Sequence, residues 1–134
     1  MLKSFKLCHT GFTLLELLTA LALCMLLALI CWPTYQDSLR QARRGEAKGE
    51  LLRLADMEER WRMTHAKYAN LTELGGNSDN PHYHFNIPLF NAMAFTITAS
   101  PTQHNNQHLD VCQTLEITQT HELTSLAANN CPHP

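Results

Sequence analysis

Between Phe12 and Trp32 the chain carries about 21 residues that are all apolar or small and hydroxylated, except Glu16. At about 1.5 Å rise per residue, a helix of that length reaches roughly 30 Å, the thickness of a bilayer's hydrocarbon core. So long a run without a polar face does not suit a core helix in a chain of 134 residues, and a membrane-spanning helix is the expectation. Glu16 is the exception. A carboxylate in hydrocarbon costs roughly 2.5 to 3.5 kcal/mol on insertion scales, so it is by default a functional group that needs a partner. Roughly 100 residues remain beyond the segment, enough for one small domain with one core.

The flanks qualify this reading. Lys3 and Lys6 precede the apolar run in a short targeting-like stretch, "MLKSFKLCHTG". A secretory signal would have small-residue cleavage chemistry after its apolar region, where this chain has the bulky Trp32 and Tyr35. Arg40, Arg43, Arg44 and Lys48 outnumber the two leading lysines, and by charge count alone the C-terminal part would lie in the cytoplasm.

The stretch "GFTLLELL", with lysines upstream, resembles the class III signal of type IV prepilins. That resemblance implies cleavage by prepilin peptidase between Gly11 and Phe12, N-methylation of Phe12, and retention of the apolar helix on the mature subunit. It also places the family's conserved glutamate on Glu16, which would neutralise the α-ammonium of Phe12 on a neighbouring subunit. Breaking such a buried pair costs about 3 to 5 kcal/mol. The following stretch, "WPTYQDSLRQARRGEAKGELLRLADMEERWRMTHAKYANLTEL", resembles the PilE-like minor pilins, and "FTITASPTQHNNQHLDVCQTLEITQTHELTS" resembles their strand, Pro-containing loop, Asp-x-Cys and final hairpin. His121 stands where a turn glycine is usual in that family, and Pro132 where an aromatic often follows the last Cys.

The residues read alone agree. Ala47, Leu51, Leu54, Met57 and Trp61 lie within about 80° on a helix at 100° per residue, with Arg53, Asp56, Glu59 and Arg60 opposite. Pro33 would kink or loosen the joint between this amphipathic helix and the apolar one. Gly45 and Gly49 read as two tolerated helix glycines, with close helix packing as the alternative. After the turn-forming "ELGGNSDNP", alternation predicts strands at 82–87, 94–100, 112–118 and 121–126. The fold class is therefore α+β: a type IV pilin fold whose long N-terminal helix spans the membrane in its first half and packs on about four antiparallel strands in its second. The implied division is a leader at 1–11, a transmembrane and filament-core helix at 12–33, and a periplasmic head at 34–134. The head comprises an amphipathic helix at 34–65, a connecting loop at 66–81, and a sheet with a C-terminal disulfide loop at 82–134.

Cys8 would leave with the leader, and Cys24 and Cys31 sit in the apolar helix. If the head is periplasmic, Cys112 and Cys131 should pair, and that pairing favours export over the charge count. His82 and His84 alternate on one strand face, while His104, His108 and Asp110 crowd one loop, without the compact spacing of a zinc site. No metal, cofactor or catalytic constellation is expected. Duplex DNA binding needs clustered Lys and Arg, and the chain has none after Lys67, where Glu73, Asp79, Asp110, Glu116 and Glu122 remain. Nucleic acid is therefore disfavoured as a partner.

The expectation is a non-enzymatic minor pilin, anchored in the inner membrane by one span with its head in the periplasm and later part of an extracellular filament used in adhesion or twitching motility. Its partners would be major and minor pilins, prepilin peptidase, the inner-membrane assembly machinery and, before assembly, membrane lipid. A type II secretion pseudopilin and a DNA-uptake pilin are the alternatives.

Overall fold

The computed structural model describes residues 12–76, 80–127 and 131. Gly11 and the rest of the expected leader lie outside the described residues. Helix α1, Leu14–Thr64, continues through Pro33 without a break in its assignment. The chain falls into two compact units divided between Gln36 and Asp37.

The first unit is the apolar part of α1. Its membrane-length window is wholly exposed within the subunit, with Leu15, Leu18, Leu29 and Ile30 facing outward. Such a surface is stable only when lipid or other helices cover it.

The second unit contains the rest of α1 and a four-stranded antiparallel sheet in the order β1 (Tyr83–Phe90), β2 (Phe95–Pro101), β3 (Leu115–Thr118) and β4 (Leu123–Ser125). Tyr83, Phe85 and Ile87 of β1 point inward with Phe95, Ile97 and Ala99 of β2 and Leu115 and Ile117 of β3, as period-2 alternation dictates. Phe85 stands opposite Ala99, and Ile97 opposite Ile117. Ala47, Leu51, Leu54 and Ala55 cover this face, and Tyr68, Ala69 and Leu74 close it from the connecting loop.

The differences from the expected elements have local causes. β1 runs on to Phe90 because a register shift between Asn86 and Leu89 accommodates Pro88, which cannot donate to the ladder. β3 starts only at Leu115, because Gln113 adopts a left-handed φ of 50° and donates its N–H to the Asp110 carbonyl in a turn. His121, in the glycine-like place, likewise has φ 57° at the turn between β3 and β4. A 3-10 segment, His104–Leu109, with Asn105 and Asn106 left-handed, occupies what reads in sequence as an irregular loop. Gly45 and Gly49 face open space.

The buried stripe of α1 is also rotated slightly from the expected one. Arg44 and Glu58 join it, while Met57 and Trp61 sit at its border. Charged residues can occupy that face because each finds a partner there.

Candidate functional site

Glu16 lies in the first turn of α1, and its backbone N–H donates to Thr13 Oγ1 at 3.3 Å. "TLLE" from Thr13 to Glu16 has the form of a capping box, Thr at the cap and Glu three residues on. A carboxylate there also meets the positive end of the helix dipole. The start of the helix thus favours Glu16 locally even before a partner arrives. Phe12 precedes this turn and is exposed.

In the head, the residues most firmly held by polar contacts surround Asp110. This aspartate is 3% exposed. Its Oδ1 accepts from Arg44 Nη1 at 2.8 Å and from the Cys112 backbone N–H at 3.2 Å, and its Oδ2 accepts from the Tyr83 hydroxyl at 2.8 Å. Gln107 Nε2 donates to the Tyr83 oxygen and to the carbonyl of Arg40. Arg44 Nη1 also approaches Cys112 Sγ at 2.7 Å, and Cys112 is bonded to Cys131. Burial first, and then the bond to Asp110, push the Tyr83 phenol well above its usual range. The network ties α1, β1, the 3-10 segment and the disulfide to one another. Its chemistry is structural, because the Arg44, Asp110 and Tyr83 groups are engaged with one another away from solvent, while Gln107 Oε1 is buried without a hydrogen-bond partner among the described residues.

This placement changes the meaning of two sequence features. The basic run from Arg40 to Arg53 is largely used within the subunit: Arg40 pairs with Asp37, Arg44 with Asp110, and Arg53 with Glu50. Asp110 faces Arg44 rather than joining His104 and His108. Instead the ring of His82 stands 5.4 Å from that of His104. Burial, Arg43 and His104 lower the His82 pKa, partly opposed by Glu46. Among the described residues no group of three metal-ligating side chains forms. Cys24 and Cys31 are free and exposed on the apolar helix.

At the far end of α1, an open groove of about 400 Å³ is lined by Met57, Arg60, Trp61, Thr64, His65 and Glu73, among others. The Trp61 and His65 rings stack with centroids 3.9 Å apart. Arg62 donates to the Tyr68 hydroxyl, which donates in turn to Glu59.

Residues 33–116 match the model of a family described as type IV minor pilin ComP, DNA uptake sequence receptor, and residues 7–32 match the prokaryotic N-terminal methylation motif. The chain belongs to this family of type IV minor pilins. Its fold is similar to that of a type IV pilin from Shewanella oneidensis, with 26% identity and a TM-score of 0.54 over 71% of this chain and 99% of that one. It is also similar to the non-core minor pilin PilV of Neisseria meningitidis, with 18% identity and a TM-score of 0.61 over 72% of this chain and 97% of that one. The likeness to PilV speaks for the fold alone. No curated protein matches.

The pilin fold expected from the signal and the strand pattern is therefore the fold found, and the apolar helix with its methylation motif fits a membrane-anchored pilin. The family match stops at residue 116, within β3 and before β4 and Cys131, so the second half of the closing hairpin of this minor pilin lies outside the matched region.

Glu58 is a further buried acid that sequence reading passed over. It is fully buried, and its Oε2 accepts the Ala69 N–H at 2.8 Å, pinning the connecting loop, while Oε1 has no hydrogen-bond partner among the described residues. Burial raises its pKa above that of an ordinary glutamate, with the Ala69 bond opposing. The folded pilin head therefore holds this proton more tightly than the unfolded chain does. Stability from Glu58 is fully present below the unfolded pKa and is lost as pH rises through the folded one. Glu58→Gln, which keeps an acceptor for Ala69, should gain about 1 kcal/mol at pH 7 and flatten that slope. Urea midpoints of the head between pH 4.5 and 7 test this, and an unchanged slope would reject it.

Proposed function

We propose that this minor pilin is a non-catalytic structural subunit, cut by prepilin peptidase between Gly11 and Phe12, N-methylated at Phe12, and carried from the inner membrane into the filament. In this reading residues 12–33 form the span and later the filament core, and residues 34–134 form a periplasmic head. Pro33 is the point at which the helix loosens or bends, and Glu16 neutralises the Phe12 ammonium of a neighbour. The observation that carries the reading is the apolar part of α1, wholly exposed in the single subunit and headed by one carboxylate. Its partners are other pilins and the machinery that assembles them.

Intact mass of the membrane-extracted protein should give a chain starting at methylated Phe12, and sheared filaments should contain it. A mature chain starting at Met1 would overturn the processing. Glu16→Val should be processed normally, yet its recovery in sheared filaments should fall by at least about tenfold, as loss of a buried pair requires. Equal recovery would reject the pairing.

A second reading is favoured by the family description and by exposed Arg60, which lines the Trp61 groove, with exposed Arg62 and Lys67 close to it in the chain. It makes the far end of α1 a receptor for duplex DNA. Three phosphate contacts there would give binding whose logarithm falls with the logarithm of salt at a slope of about −2.7. Arg60→Gln, Arg62→Gln and Lys67→Gln together would abolish it. The structural reading expects no salt-sensitive duplex binding by the head at neutral pH, so titrations between 50 and 200 mM salt, a range over which phosphate contacts weaken strongly, separate the two.

A further inference from the structure

Leu109 and Val111 flank the buried Asp110 and are both more than half exposed. The inward turn of Asp110 requires its neighbours to point outward, but does not require them to be apolar. They line a cleft of about 240 Å³ with Asp37, Arg40, Gln41 and Arg44. Beside it Arg43 Nη1 donates to the Asn105 carbonyl at 3.3 Å, a contact that leaves its charge unneutralised. Exposed His104 and His108 belong to the same segment, and the nearby exposed acids on α1 are Glu46 and Asp37, the latter paired with Arg40.

This cleft begins at Asp37, the first residue of the head's compact unit. Trp32, the last residue of the apolar run, is five residues earlier, and five residues reach at most about 17 Å even when fully extended. Whatever the angle at Pro33, a subunit anchored through its apolar segment keeps this end of the head close to the bilayer surface.

We propose that Leu109 and Val111, with Arg43, form a face that rests on the anionic phospholipid surface holding the subunit before assembly. The two apolar side chains enter the boundary between headgroups and acyl chains, and the Arg43 guanidinium meets lipid phosphate. The proposal rests on membrane anchoring by residues 12–33. It gives the head a defined pose on the bilayer, and it means that extraction into a filament uncovers two apolar side chains that another subunit must then cover.

The test is hydrogen exchange on the full chain, one copy per lipid nanodisc, in discs of phosphatidylcholine alone and in discs containing phosphatidylglycerol. Protection of 14–32 reads anchoring, and exchange at 104–113 reads the proposed face. With phosphatidylglycerol, exchange at 104–113 should slow by about fivefold or more, the effect of one basic side chain near an anionic surface. Added salt should reverse the slowing. The exposed pair Leu109→Ser and Val111→Ser should abolish it while β2 keeps its protection. Equal exchange in the two discs with 14–32 protected would overturn the proposal and leave anchoring intact. Unprotected 14–32 would remove anchoring and the proposal with it. Slowing seen only with two copies per disc would assign the face to a second copy and overturn lipid as its occupant.

Discussion

Asp110→Ala should destabilise the head by about 3 to 5 kcal/mol, because it leaves the Arg44 guanidinium buried without a counter-charge. Arg44 is 5% exposed, so water cannot replace the lost carboxylate without opening the fold. The Tyr83 hydroxyl loses its acceptor as well, and so does the Cys112 N–H. Urea unfolding of a fragment beginning at Thr34 measures the cost. Replacing both charges together, Arg44→Met with Asp110→Leu, should recover much of it, since apolar replacement of a whole buried pair is often neutral. A loss under about 1 kcal/mol for Asp110→Ala would place the pair among weak surface pairs and remove it as the lock between α1 and the disulfide loop.

The apolar helix, the amphipathic helix and all four strands were legible because each rests on periodicity, which a single sequence displays directly. Ala47, Leu51 and Leu54 could be placed in the core from spacing alone. Arg44 and Glu58 could not. A charged letter on an apolar face counts against burial until its partner is known, and here the partners are 66 residues and 11 residues away in the chain. The same blindness grouped Asp110 with His104 and His108 by proximity in sequence, whereas the fold turns Asp110 to Arg44 and brings His82 beside His104. A local signal did exist for one missed feature: Thr13 and Glu16 stand at capping-box spacing, which gives Glu16 a role at the helix start in addition to any role between subunits. The left-handed turn at His121 was foreshadowed by its standing in a glycine's place.

Cys131→Ser should lower the stability of the head by roughly 2 to 4 kcal/mol, the range expected when a loop of about 20 residues loses its crosslink. The two cysteines are 19 residues apart, and the bridge encloses β3 and β4. β4 has only three residues, pairs among the described residues with β3, rests Leu123 on the border of the core, and is followed by the Leu126 N–H donating to the Thr114 carbonyl. So short an edge strand keeps its register poorly unless its far end is tied down. Limited proteolysis should therefore cut the variant after about Leu126 while α1 survives and processing at Phe12 is unchanged. In the folded variant the Cys112 thiol is fully buried beside Arg44, so it should resist alkylation until the sheet opens, and its reaction rate should follow unfolding. In the unaltered protein recovered from the periplasm neither thiol should react. If both did, the head would not be oxidised there, and both the compartment and the anchoring of β4 would have to be reassigned.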